Sequence, residues 1–237
     1  MISLSLVTPL FNEEKNLPKL FSALEEYRNT QTDFLLEFVF INDGSIDGTE
    51  ELLQDFAAKH SEYTKVISYP ENEGRGYALR RGMLEATGDW RLVLDADLAA
   101  PLSEAKKLIP CIESGCDIII GSRSIRGAQV ETPPSHLRFI LGVGFIVLAR
   151  ICTDVRVSDF SCGFKCFSKQ AAEMILPQTK INRWAHDAEN LYLAKKFGLK
   201  VCEIPLTWRN GPGTTVRIGS AVVQSLIDLV RIRLIHR

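Results

Sequence analysis

The 237-residue chain has no long apolar run: its longest uninterrupted apolar stretch, Phe139 to Ala149, is bounded by Arg138 and Arg150. That falls well short of the roughly 20 residues a membrane-spanning helix needs, so no spanning segment is expected. There is no excess of charge of one sign. A net charge of −1 provides no global basic field, so no nucleic-acid partner is expected. The six cysteines are scattered at 111, 116, 152, 162, 166 and 202. Neither a Cys-x-x-Cys pair nor a histidine set accompanies Cys162 and Cys166, which argues against zinc and for free thiols in a reducing cytosol. Met1-Ile2-Ser3-Leu4-Ser5-Leu6 has no basic leader or small-residue cleavage site, so a secretory signal is not expected. Gly74-Arg75-Gly76 lacks a third spaced glycine and does not meet the dinucleotide fingerprint. With no internal repeat and no low-complexity linker, one domain is expected over 1–237.

What is present is ordinary globular composition, 24% charged and 46% hydrophobic, enough for one substantial core. Apolar runs at Leu4–Thr8, Phe38–Ile41, Val66–Tyr69, Leu92–Leu94 and Ile118–Ile120 read as buried strands, alternating with helical stretches. Asn12-Glu13-Glu14 reads as the cap and first turn of the first helix, running to about Tyr27. A helix over Leu102 to Ser114 must end or kink at Pro110. This rhythm predicts a mostly parallel sheet covered by helices on both faces. Beyond about residue 122 it changes. Arg126 to Ser135 reads as a loop, helical segments flank Ser161-Cys162-Gly163, and Val201–Ile204 reads as a late strand. In the C-terminal stretch Val222, Val223, Leu226, Ile227, Val230 and Leu234 recur at helical spacing beside Arg231, Arg233 and Arg237. Such a helix either lies in a lipid interface or docks on the sheet. Phe139–Ala149 has the same two readings.

Two acidic turns end strands: Ile41-Asn42-Asp43-Gly44-Ser45 and Asp95-Ala96-Asp97. Ligands of open α/β sheets bind beyond the carboxyl ends of strands. Two carboxylates on one short loop suit Mg²⁺ or Mn²⁺, which take hard oxygen ligands and leave positions for phosphate. A metal-bridged diphosphate site is the expectation. Asp43 either accepts hydrogen bonds from a base or ribose or simply caps the next helix. Glu13 either points to the same crevice or serves a helix dipole. Arg75, Arg80 and Arg81 are diphosphate ligands or solvated helix charges. Arg123, Arg126 and Arg138 form a cluster whose planar forks suit phosphate oxygens. Asp187 and Glu189 are two apart on a helix and so are not a matched pair, and His186 reads as structural.

In order along the chain, Pro9-Leu10-Phe11-Asn12-Glu13, Asn42 to Thr49, Asn72-Glu73-Gly74-Arg75-Gly76 and Asp95-Ala96-Asp97 resemble the motifs of family-2 glycosyltransferases of the GT-A fold. Gly121-Ser122-Arg123, Asp159 to Lys165, Arg183-Trp184 with Asp187 and Glu189, and Trp208 to Gly213 resemble the polyprenyl-phosphate sugar transferases, dolichyl-phosphate β-glucosyltransferases above all. The resemblance implies a peripheral enzyme on the cytoplasmic face of a membrane. It would transfer hexose, with inversion, from a nucleotide diphosphate sugar (UDP-glucose favoured) to a polyprenyl phosphate. Residues 1–121 would bind the donor, and 122–237 the acceptor and the membrane through amphipathic interfacial helices. Asp95 and Asp97 would place the cation. Pro9, Phe11, Glu13, Asp43, Gly74, Arg75 and Ala96 would hold the nucleotide sugar, with Arg209 or Arg217 on the diphosphate. Arg123 and Arg138 would grip the acceptor phosphate, while Asp97, Asp159 and Asp187 would act at the reacting centre. Two alternatives stay open: a GDP-mannose-dependent synthase, and a non-catalytic nucleotide-sugar-binding membrane subunit.

Overall fold

A computed structural model describes residues 1–131, 136–209 and 218–236, with 136–139 and 218–223 described as backbone. The chain runs β1 (Ile2–Leu10), α1 (Leu17–Thr30), β2 (Phe34–Asp43), α2 (Thr49–Lys59), β3 (Thr64–Tyr69), α3 (Arg75–Glu85) and β4 (Trp90–Val93). A 3₁₀ turn (Leu102–Lys107) leads into α4 (Leu108–Glu113), then β5 (Ile118–Ser122), β6 (Gln129–Val130), α5 (His136–Thr153), β7 (Lys165–Ser168), α6 (Lys169–Ile175), α7 (His186–Lys196), β8 (Val201–Pro205), β9 (Thr207–Trp208) and α8 (Ile218–Ile235). Seven strands form one sheet in the order β3-β2-β1-β4-β7-β5-β8, and β6 pairs separately with β9. All neighbours in the large sheet are parallel except β7, which runs antiparallel to both β4 and β5.

Both faces of the sheet are covered, which is why the central strands are nearly continuous apolar runs. Leu4, Leu6, Phe38, Phe40 and Leu92 pack with α1 and α2 on one face, while Val7, Val39, Ile41, Val93, Ile118 and Ile120 pack with α3, α6 and α7 on the other. Each fully buried side chain of this kind stabilises the fold by about 1.5–3 kcal/mol. After β3 the chain returns past β2 to place β4 on the far side of β1. Strand order therefore reverses between β1 and β4, and a crevice opens beyond Leu10 and Val93 at that switch point.

Several expectations are corrected. The first helix starts at Leu17, with Pro18 in its opening turn, and Asn12 instead adopts a left-handed turn at φ 56°. Pro110 sits in the first turn of α4, so the stretch from Leu102 divides into a 3₁₀ turn and a short helix. Lys165 to Ser168 is a central strand rather than the end of a loop. Cys116 and Cys202 form a disulfide, Cα atoms 6.1 Å apart, because β8 pairs with β5; Cys111, Cys152, Cys162 and Cys166 are free.

The two helices with open readings each prove two-faced. In α5, Phe145, Ile146, Leu148 and Cys152 pack inward around buried Ala149, while Ile140, Val143, Val147 and Ile151 are exposed. In α8, Leu229 and Ile232 are buried, and Ile227, Val230 and Leu234 are exposed. Among the described residues no helix is long and apolar enough to cross a membrane.

One buried charge is poorly served. Arg91 of β4 is 1% exposed; its Nη2 donates to Glu173 Oε1 at 3.3 Å, and Nε and Nη1 have no partner among the described residues. Replacing a weakly satisfied buried ion pair with an apolar side chain is neutral or stabilising by about 1–4 kcal/mol. Arg91→Met is expected to raise the urea unfolding midpoint at unchanged slope. A lowered midpoint would refute that accounting.

Candidate functional site

The loops after β1 and β2 are zipped together beside the crevice. Backbone N–H groups of Asn12, Glu13 and Glu14 donate to Ser45 Oγ, Thr49 Oγ1 and Asp47 Oδ2 at 2.9, 2.9 and 3.3 Å. In return Ile46 N donates to Asn12 Oδ1, and Gly48 N to Glu14 Oε2. This zipper sets Phe11, which is 46% exposed, and Glu13 at the end of β1; Pro9 lies within β1, paired with Ile41.

Asp43, expected at the nucleoside, is engaged within the loop before α3. It is 3% exposed, and its carboxylate accepts from Asn72 Nδ2 (3.0 Å), Glu73 N (2.8 Å) and Gly74 N (3.0 Å). Its work in this structure is to fold the loop leading into α3. Gly74 has φ 102°, and a Cβ there would stand 2.7 Å from the Asn182 carbonyl oxygen, so the loop is pressed against the segment before α7. That carbonyl accepts from Gly76 N at 2.7 Å.

Arg75, the first residue of α3, reaches from this loop to the acidic turn after β4, where its Nη2 donates to Asp95 Oδ1 at 2.5 Å. The turn itself is tight: Leu98 N donates to Asp95 O with Leu98 at φ 54°, and Ala99 N donates to Asp97 Oδ1 at 3.0 Å. Ala96 is buried beneath it. Gly163 closes the floor, since a Cβ there would fall on Asp95 Oδ2. Burial, with neighbouring Asp95, pushes the Asp97 carboxyl above its ordinary range. Burial, with Asp97, Asp95 and Asp47 nearby, does the same to Glu13. The crevice therefore carries uncompensated negative charge.

Two more carboxylates stand on the other side. Burial alone would raise Asp159, but the Arg123 guanidinium outweighs it and holds Asp159 low, with Nε to Oδ2 at 2.7 Å and Nη2 to Oδ1 at 3.0 Å. Arg123 also donates to Ser161 Oγ and lies 5.0 Å from the Trp208 ring centroid. Asp159, expected at the reacting centre, is 1% exposed and braces Arg123. Asp187 ion-pairs with Lys165 Nζ at 2.7 Å and lies 3.2 Å from His186 Nε2. Against the upward push of burial, the neighbouring His186 and the Lys165 ammonium hold Asp187 well below the usual carboxylate range.

Other candidates are less engaged. Arg209 donates its backbone N–H to Ala99 O at 2.7 Å, beside the acidic turn, but its exposed side chain pairs with Glu131. Arg138 is in the first turn of α5, and Arg217 lies outside the described residues. Arg80 is held by Thr179 and Asn182. Glu189 is fully buried, accepting from Lys180 N and Ile181 N and contacting His236 Nε2, so it serves the fold. Lys165 was missed as a site residue; its signal was a lone cation inside the apolar run Phe164-Lys165-Cys166-Phe167.

Among the described residues no group of three or more histidines, cysteines or carboxylates is placed to hold a metal ion. Asp95 and Asp97 nevertheless offer a hard-oxygen pair with surplus negative charge, a donor set suited to a divalent cation whose other ligands come from phosphate or water.

The Glycosyl transferase family 2 model matches residues 5–176. Dolichyl-phosphate beta-glucosyltransferase ALG5D of Trichomonas vaginalis is 33% identical, the alignment covering 100% of this chain and 74% of the relative. The Homo sapiens dolichyl-phosphate beta-glucosyltransferase is 31% identical, over 98% of this chain and 75% of its own. The crystal structure of glucosyl-3-phosphoglycerate synthase from Mycobacterium tuberculosis in complex with Mn²⁺, uridine diphosphate and glucosyl-3-phosphoglycerate superposes with a TM-score of 0.72 at 17% identity, over 98% of this chain and 80% of that one. The mostly parallel seven-stranded sheet and its covering helices are those of the GT-A fold.

Partial burial, and after it the neighbouring Asp95 carboxylate, make the ionised form of Asp97 costly. Its side chain opens to the crevice, so solvent screening keeps that cost below about 1 kcal/mol. Asp97→Asn removes the charge and is expected to raise the metal-free melting temperature by about 2 °C at pH 7.5. A fall in scanning calorimetry would contradict this.

Proposed function

The chain belongs to glycosyl transferase family 2, and from that premise we propose that it moves glucose from UDP-glucose to dolichyl phosphate or another polyprenyl phosphate. The observation that carries the reading is the acidic turn Asp95-Ala96-Asp97, locked by Arg75 at the switch point of the sheet and faced by Asp187 and the Arg123–Asp159 pair. The names of the relatives at 31–33% identity support the acceptor and the sugar.

The donor site in this reading is built by residues 1–121. Phe11 offers a partly exposed ring to the base, Pro9 and Glu13 border it, and Asp43 acts by shaping the loop that presents Gly74 and Arg75. Asp95 and Asp97 would hold Mg²⁺ or Mn²⁺, which when bound neutralises charge on the leaving diphosphate. Arg209, already anchored beside that turn through its backbone, exchanges Glu131 for a diphosphate oxygen, and Arg217 is a second candidate for that contact. Residues 122–237 take the acceptor. Arg123 keeps Nη1 for the acceptor phosphate while Asp159 fixes its other nitrogens, and Arg138 joins it.

An acceptor phosphate is already anionic at neutral pH, so its oxygen attacks the anomeric carbon without a general base. The bond from that carbon to the diphosphate oxygen breaks on the opposite side, UDP departs, and the configuration inverts. Rate enhancement comes from alignment and from electrostatic support of the leaving group. Asp187 hydrogen-bonds hydroxyls of the transferred sugar.

The exposed stripes Ile140, Val143, Val147, Ile151 of α5 and Ile227, Val230, Leu234 of α8, with Arg150, Arg231 and Arg233 nearby, fit a peripheral seat on a membrane carrying anionic lipid. The cytoplasmic face, where nucleotide sugars are made, is the proposed location.

Transfer from radiolabelled UDP-glucose, UDP-galactose and GDP-mannose to polyprenyl phosphate tests the reaction. UDP-glucose with Mg²⁺ or Mn²⁺ should label the lipid phase, and chelator should abolish the signal. Labelling by GDP-mannose instead would replace the donor, and binding without any transfer would favour the non-catalytic reading. For the membrane seat, the Val147→Glu/Ile151→Glu variant should lose most flotation with phosphatidylserine vesicles while retaining UDP affinity. Undiminished flotation would exclude this face.

A further inference from the structure

Lys165 is 2% exposed, at the start of β7, where pairing with Val93 and Ile120 places it level with the carboxyl ends of β4 and β5. Burying an ammonium group is costly unless it is paired and hydrogen-bonded. Here its Nζ donates to the Phe160 carbonyl at 2.7 Å and ion-pairs with Asp187 Oδ1 at 2.7 Å. Its neighbours in sequence Phe164 and Phe167 are buried, as is Phe160. The strand register fixes the lysine, and the lysine in turn fixes one oxygen of Asp187. The other oxygen of Asp187 has no hydrogen-bond partner among the described residues, and its side chain is 18% exposed. His186 does not substitute for the lysine: its Nδ1 faces the Arg183 carbonyl at 2.8 Å and so donates there, and its Nε2, although 3.2 Å from the same Asp187 Oδ1, makes no hydrogen bond among the described residues.

We propose that Lys165 is a positioning residue for the donor sugar: it holds Asp187 Oδ1 so that the second oxygen faces a sugar hydroxyl beside Arg75 and the acidic turn. The same ammonium ties that carboxylate, through the Phe160 carbonyl, to the loop carrying Asp159 and Gly163. The sugar-binding and acceptor sides are thereby set in one register. This rests on the proposed contact of Asp187 with the sugar of UDP-glucose. A lysine fits the task because its ammonium can meet both oxygens from one point.

The test is the ratio of the dissociation constants of UDP and UDP-glucose, measured by calorimetry on the full chain with Mn²⁺. In Lys165→Met the UDP constant should change less than about twofold, while the preference for UDP-glucose should fall about tenfold, the weight of one charged hydrogen bond. Asp187→Asn should show the same loss, and the double variant should lose no more than Asp187→Asn alone. Lys165→Arg should recover part of the preference. A merely structural lysine would weaken both ligands alike, which would overturn the proposal. So would a lost preference in Asp187→Asn with none lost in Lys165→Met. If Asp187→Asn keeps the preference, the sugar contact itself is wrong, whatever Lys165 does. Should Lys165→Met not fold, the wild-type ¹⁵Nζ resonance of Lys165 decides: it should shift with UDP-glucose and stay in place with UDP, and equal shifts would refute the role.

Discussion

The ion pair between Arg75 and Asp95 joins the two halves of the crevice, and the remaining contacts serve to hold its ends in place. One end is a helix terminus pushed forward by a loop, and the other is a turn at the edge of the sheet. Asp43 gathers the N–H groups of Glu73 and Gly74, and Asn182 takes Gly76 N, so that α3 begins where Arg75 can reach Asp95. Gly163 leaves no space for Asp95 to retreat. The pair also sets a charge balance. Arg75 serves Asp95, Lys165 serves Asp187 and Arg123 serves Asp159, while Asp97 and Glu13 have no cation in ion-pair contact among the described residues and bind protons more readily than they would in water. A site that neutralises three carboxylates internally and leaves two in want of positive charge is prepared for a cationic ligand.

That economy explains why the polar side chains nearest the crevice divide into two kinds. Asp43, Asp159 and Lys165 are buried and shape loops, whereas Asp97 and Arg209 are open. Buried polar groups with their partners in place rigidify a site, and open ones remain available to a ligand. In a reaction whose nucleophile arrives already charged, rigid alignment matters more than proton transfer. Among the described residues His186 turns its Nδ1 to the Arg183 carbonyl, and His236 is turned to Glu189.

Much of this was legible because it is local. An apolar run followed by an acidic turn marks a strand end, and alternation of strands with helices marks the parallel sheet, so Asp95, Asp97 and Glu13 could be placed together from sequence. What could not be read depends on pairing across long separations. Lys165–Ser168 is only four residues long and becomes a strand because β4 and β5 leave a slot between them. Cys116 and Cys202 are 86 residues apart and meet only once β8 lies along β5. Asp43 sits in a turn motif equally able to bind a ligand or to shape a loop, and only its position under residues 72–74 decides. The resemblance implies a diphosphate contact for Arg209 and gives no sign that Glu131, 78 residues earlier, pairs with its side chain.

The same dependence on distant pairing places the exposed helices. Either face of α5 or α8 could have packed inward on composition alone; in α8 a polar contact just past the helix accompanies the face that is buried. His236, one residue beyond α8, meets Glu189 Oε1 at 2.6 Å, and Lys196 Nζ donates to the His236 carbonyl. Glu189 in turn accepts from the N–H groups of Lys180 and Ile181, immediately before the Asn182 carbonyl that receives Gly76. Leu229 and Ile232 then face the core, which leaves Ile227, Val230 and Leu234 outward next to the exposed stripe of α5. The contacts that orient the apolar face and the contacts that seat Arg75 thus share one buried carboxylate. In the proposed reaction the acceptor phosphate enters the crevice while its chain stays in lipid, so those two surfaces must keep a fixed relation, and Glu189 contacts the segments that carry both.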